Sequence, residues 1–106
     1  MSKYQIQLLP KAHRYFKSIK KNTSLRKKFE LQFEEILSNP LVGEEKRGDL
    51  SGIFSVDFRY NNTMYEIAYT VFENRDNKLI IIILAGTREN FYRDLKSYIR
   101  SADDFK

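Results

Sequence analysis

Residues 53–72 read IFSVDFRYNNTMYEIAYTVF, and their alternation decides the fold. Phe54, Val56, Phe58 and Tyr60 fall on one side of an extended strand, with Ser55, Asp57 and Arg59 on the other. Asn61 and Asn62 follow, and asparagine tolerates the positive φ that a tight hairpin turn demands. Beyond them Tyr65, Ile67, Tyr69 and Val71 alternate with Glu66, Ala68 and Thr70. A two-residue turn at the asparagines fixes the register: Tyr60 pairs with Thr63, Phe58 meets Tyr65, Val56 meets Ile67, and Asp57 lies opposite Glu66.

Working outward, "NRDNK" turns the chain into "LIIIIL", residues 79–84. That unbroken, largely β-branched run predicts a central strand covered on both faces. Upstream, "LVGEEKRGDLSG" (residues 41–52) is polar with Gly43, Gly48 and Gly52, and reads as a loop. Before it, Leu25, Phe29, Phe33, Ile36 and Leu37 form a helical stripe that ends at "SNP". An earlier stripe of Ala12, Phe16 and Ile19 starts at Pro10, which suits a first helical turn. "KKNTS" separates the two, with Asn22, Thr23 or Ser24 to cap the second, so the pair forms an antiparallel helical hairpin. Tyr4 to Leu9 alternates as a short first strand. After the last strand Thr87 is a fair helix cap, Glu89 suits the positive end of the dipole, and Phe91, Leu95, Tyr98 and Ile99 make a packing stripe. The predicted order is β-α-α-β-β-β-α.

At 106 residues the chain is expected to form one domain, residues 1–106, with a single core. Its 42 % hydrophobic and 14 % aromatic content suit a packed globule and argue against disorder. The longest apolar run, Leu79 to Ala85, is far short of the ~20 residues of a membrane helix. No signal-peptide pattern opens the chain and no cysteine is present, so a cytoplasmic protein that does not enter a membrane is expected. The 19 Lys and Arg exceed the 14 Asp and Glu by five, favouring an anionic partner. Lys11 to Lys28 is purely basic, whereas acids gather in Glu30 to Glu45 and at Asp103 and Asp104. The basic segment is either a solvated face or a surface for RNA backbone.

The hairpin register carries the chemistry. Like charges opposed across a strand pair are unfavourable, so Asp57 and Glu66 call for a nearby cation or a raised pKa on one carboxylate. Arg59 lies two residues along on that face, and Arg88 begins just past the last strand. A carboxylate beside arginines would serve general-base chemistry on a phosphodiester, or would be an ordinary solvated sheet face. Arg88, at a strand-to-helix junction, could hold a phosphate with backbone donors. Tyr92, on the edge of the packing stripe, fits partial burial or a site role equally. Lys46 and Arg47 sit in the loop beside the proposed face, within reach of phosphate. His13, the only histidine, falls on the first helix's polar face and reads as solvated. No phosphate-binding glycine loop, serine triad or metal-ligand spacing is present, so no cofactor and no metal is expected.

Taken together, "LSGIFSVDF" (50–58), "YEIAY" (65–69) and "AGTRENFYRDLKSYI" (85–99), behind two basic helices, resemble the RelE/ParE superfamily of type II toxin–antitoxin toxins. The resemblance runs from Tyr4 to Ile99. It implies an α+β fold: an N-terminal strand, a helical hairpin packed on an antiparallel sheet, and a C-terminal helix. It also implies an antitoxin partner and a hetero-oligomer with it. RelE-like members cut mRNA in the ribosomal A site, and ParE-like members inhibit DNA gyrase. By the RelE-like resemblance Arg88 would stabilise the scissile phosphate and Tyr92 would meet the mRNA. Ser55 and Asp57 stand where mRNA-cleaving members carry lysines, Arg59 alone stays basic, and Glu66 replaces an arginine. Other ribonuclease members use a glutamate base. The resemblance thus implies a metal-independent endoribonuclease in which Glu66 or Asp57 is the base, Arg88 and Tyr92 assist, and Arg59, Lys46 and Arg47 bind RNA. The alternative is a gyrase inhibitor.

Overall fold

The computed structural model describes residues 3–101, so Asp103 and Asp104 lie outside the described residues. Strand β1 (Gln5–Leu8) leads into helix α1 (Pro10–Ser18) and helix α2 (Thr23–Ser38). Strand β2 (Glu44–Glu45) and a 3-10 turn (Gly48–Leu50) precede β3 (Ile53–Tyr60), β4 (Thr63–Glu73) and β5 (Lys78–Thr87), and α3 (Phe91–Ser101) closes the chain. The five strands form one sheet in the order β1-β5-β4-β3-β2.

The β3–β4 hairpin has the predicted register, with Tyr60 paired to Thr63, Phe58 to Tyr65 and Asp57 to Glu66. Its turn works because Asn61 (φ 48°) and Asn62 (φ 64°) are both left-handed, the geometry whose twist matches the flanking strands. Pro10 starts α1, and the Asn22 side chain caps α2 by accepting from the Leu25 N–H at 3.2 Å.

Three findings go beyond the sequence pattern. The pairings from β2 through β5 are antiparallel, whereas β1 adds to β5 in parallel, Gln5 beside Leu79 and Leu8 beside Ile82. The stretch read as a loop contains β2, because the outer edge of β3 offers free backbone groups that Glu44 and Glu45 engage opposite Ser55 and Phe54. Thr87 caps nothing: it pairs with Tyr65 as the last residue of β5, and Phe91 starts the helix after a turn in which Asn90 takes φ 61°.

Both faces of the sheet are covered. The hairpin α1–α2 buries Phe29 and Ile36 against Phe58, Ile67, Tyr69 and Ile82, and α3 buries Phe91 and Leu95 against Ala68, Ile83 and Leu84. Strand β5 can feed both cores because its pairing with β4 slips between Ala68 and Tyr69: Leu84 opposes Ala68 while Ile82 opposes Tyr69, leaving Ile83 as the extra residue of a bulge. Ile80 and Ile82 therefore face the hairpin, and Ile83 and Leu84 both pack toward α3. Among the described residues no helix is long and apolar enough to cross a membrane.

Candidate functional site

On the α3 side of the sheet, Ile53, Ser55, Asp57 and Arg59 share one row of β3, and Glu66, Ala68 and Thr70 share one row of β4. The middle of these rows is apolar and covered by α3; toward the hairpin turn it gives way to the two opposed carboxylates. Their repulsion is met by a cation. Arg88, just past β5, donates from Nε to Glu66 Oε1 at 3.0 Å and from Nη2 to Asp57 Oδ2 at 2.6 Å. Of the two arginines the sequence offered, Arg88 is the one in contact with both carboxylates. Its backbone is anchored too, its N–H donating to the Met64 carbonyl at 2.9 Å.

The two carboxylates differ in setting. Glu66 is sunk in the sheet, its side chain 3 % exposed, whereas that of Asp57 is 50 % exposed. Glu66 Oε2 is buried and finds no hydrogen-bond partner among the described residues. Such an orphan typically costs about 1–3 kcal/mol, so its retention calls for a reason. The hydrogen bond to Glu66, reinforced by the charges of Glu66 and Asp57, outweighs desolvation and holds the Arg88 guanidinium above its already high range.

Tyr92, on the first turn of α3, brings its hydroxyl within 3.1 Å of Ser55 Oγ. Burial, then the Glu66 carboxylate, pushes its phenol up, with Ser55 and Lys46 pulling the other way, so it stays protonated near neutrality. Lys46 stands 4.8 Å from the centre of the Tyr92 ring and bonds Glu44 Oε1 at 3.0 Å. Burial works to lower its ammonium, but the Glu44 and Tyr92 interactions prevail and raise it, so Lys46 is a fixed positive charge.

These groups line one open cleft of about 550 Å³: Glu66, Asp57, Arg88, Tyr92, Ser55 and Lys46 on one side, with Glu44, Val42 and the α2 residues Gln32 and Glu35 completing the wall. Four of the sequence-predicted site residues, Glu66, Asp57, Arg88 and Tyr92, thus come together, and Lys46 joins them. Arg59 does not line the cleft; it is exposed near the hairpin turn, paired with Met64. Arg47 is exposed at the entry to the 3-10 turn, beside a smaller hollow shared with Glu45 and Ser51. His13, Lys17, Lys20 and Arg26 border a separate groove on the helical hairpin. Sequence reasoning missed Ser55 as the partner of Tyr92, and missed Glu44, Gln32 and Glu35 altogether, since only the pairing of β2 with β3 and the packing of α2 bring them in. Among the described residues no group of three or more His, Asp or Glu side chains is placed to hold a metal ion.

Known proteins share this architecture. A double-mutant E. coli toxin RelE, solved in the free state, is similar over 91 % of this chain and 93 % of that one, with a TM-score of 0.68 and 14 % sequence identity. A chain of the toxin–antitoxin complex RelBE2 from Mycobacterium tuberculosis is similar over 82 % of this chain and 100 % of its own length, with a TM-score of 0.61 and 24 % identity. At these identities the likeness establishes the fold. No curated protein sequence matches the chain. The family model for the ParE-like toxin of type II bacterial toxin–antitoxin systems matches residues 6–96, from β1 into α3. The chain therefore belongs to the ParE-like toxins of type II toxin–antitoxin systems.

Proposed function

We propose that this toxin is a metal-independent endoribonuclease that cleaves mRNA on translating ribosomes in the cytoplasm and is held silent by a cognate antitoxin. The observation that carries the reading is the meeting of the Glu66 carboxylate, Arg88 and Tyr92 along one cleft. A carboxylate held by Arg88 and lying beside the Tyr92 phenol along the cleft is placed to act as a general base toward a group bound there. Asp57 is less suited to that part, being half-exposed and able to exchange with water.

In this mechanism the Glu66 carboxylate takes the proton of a ribose 2′-hydroxyl, and the 2′-oxygen forms a bond to the adjacent phosphorus as the bond to the 5′-oxygen breaks. Arg88 keeps unused Nη donors for the phosphoryl oxygens as their charge grows. The neutral phenol of Tyr92 donates to the leaving oxygen, and Lys46 adds a positive charge beside it. The complex of toxin and antitoxin represented by RelBE2 supports a protein partner for this chain as well.

A second reading, inhibition of DNA gyrase, draws on the acid-rich cleft, in which Glu35, Glu44, Asp57 and Glu66 outnumber Lys46 and Arg88. Brief expression in cells separates the two. Rapid loss of intact mRNA with DNA supercoiling unchanged is expected. Preserved translation with relaxed or broken DNA overturns the nuclease reading.

A further inference from the structure

Arg88 is shared between carboxylates of unlike standing. Glu66 is fixed below it in the sheet, and Asp57 stands at the cleft's mouth, where both the Asp57 carboxylate and the guanidinium are about half-exposed, 50 % and 52 %. A guanidinium carries five N–H donors, and it grips phosphate best as a two-pronged fork. Glu66 takes the Nε prong, so the fork open to the cleft is the Nη pair, and Asp57 Oδ2 occupies one of its donors at 2.6 Å.

We propose that Asp57 is a positioning residue that competes with phosphate for Arg88. This rests on the reading of Arg88 as the phosphate-holding group. An incoming phosphate either displaces the Asp57 carboxylate or lies beside it as a second anion on one cation. Asp57 is exposed and can yield, whereas Glu66 cannot move without abandoning a buried charge. The site therefore discriminates by class of anion. Free inorganic phosphate can repay the displacement only through the cations of the cleft, Arg88 and Lys46, while a phosphodiester within a longer strand brings further contacts with it. Asp57 is then neither the base nor a ligand for RNA but the group that keeps Arg88 from holding stray phosphates.

Asp57→Asn removes the charge while keeping the shape at a half-exposed position, and its fold is checked by the thermal midpoint. Two probes are used on wild type and variant: inorganic phosphate, followed through its own phosphorus-31 resonance, and a 2′-O-methyl RNA oligonucleotide, which binds but cannot be cleaved, followed by fluorescence anisotropy. Asp57→Asn should bind inorganic phosphate about fivefold tighter at low salt, the factor that corresponds to one unit charge at ~4 Å in water. The gain should shrink as salt rises. It should also vanish in an Arg88→Ala/Glu66→Gln background, in which no buried carboxylate is left unpaired. Equal phosphate affinities, undetectable binding by both proteins included, overturn the proposal, as does a gain that persists without Arg88. The RNA probe separates this from the nuclease reading: a gain for phosphate with no RNA binding by either protein keeps the Asp57 assignment and removes the nuclease.

Discussion

Glu66 accepts from Arg88 through Oε1, and its carboxylate also acts on the neighbouring Tyr92 phenol. Glu66→Gln keeps the shape and removes the basic lone pair. Cleavage of an RNA oligonucleotide should fall by roughly 100-fold or more, while the urea midpoint shifts by the equivalent of about 1 kcal/mol or less. Full activity in this variant would show that the base is elsewhere. The ion pair also changes what Arg88→Ala reports. Deleting the guanidinium leaves a buried carboxylate without its cation, so the variant should lose stability together with activity. Adding Glu66→Gln should restore the midpoint and not the cleavage, and Arg88→Lys should rescue little, since a point charge does not replace the fork. If Arg88→Ala/Glu66→Gln cleaves as well as wild type, Arg88 is a strut for Glu66 and no more.

The elements place the cleft wall through a clamp on β4. Tyr69 is fully buried, and its hydroxyl donates to the Pro40 carbonyl at 2.8 Å while accepting from the Gly43 N–H at 3.0 Å. Burial raises its phenol, with Gly43 working against the rise. Gly43 must pass close by: a Cβ there would lie 2.7 Å from the Tyr69 hydroxyl and 2.8 Å from the Ser55 carbonyl. Tyr69→Phe should therefore cost about 1–2 kcal/mol through the unpaired loop groups, and Gly43→Ala about 1–3 kcal/mol through the displaced strand. Because both release the same loop, the double variant measured by urea unfolding should cost less than the two together; strict additivity would refute the clamp. This clamp was invisible in the sequence, since "LVGEEKRG" has neither period nor apolar stripe. The hairpin was legible for the opposite reason, strict alternation around two asparagines, and with it the meeting of Asp57, Glu66 and an arginine. "LIIIIL" announced a central strand but could not reveal its bulge, because equally apolar neighbours look the same whichever core they enter. Nor does anything in Gln5–Leu8 say that it runs parallel to its neighbour.

Across the whole molecule, charge and titration are unevenly spread. Tyr15, half-buried between the hairpin and the sheet, has its phenol pushed up to about 12 by burial and then by Tyr65. A phenol whose folded value lies above its unfolded one of about 10 lends its full stabilisation below that pH and loses it as pH rises through the folded value. Unfolding midpoints should accordingly fall between pH about 10 and about 12, and Tyr15→Phe should flatten the fall; parallel curves for the two proteins would place the loss in other groups. The parallel pairing of β1 with β5 bears on a different matter, the moment at which the toxin becomes dangerous. Gln5 to Leu8 are synthesised well before their sheet partners, Leu79 to Ile82. Arg88 and Tyr92 come later still. A nascent chain can fold its helical hairpin and its β3–β4 ribbon early, but the sheet stays open and Glu66 lacks its cation until β5 and Arg88 have been made. The topology thus withholds the completed cleft until β5 and the start of α3 have been made, and premature termination anywhere before β5 yields a fragment without Arg88 and Tyr92.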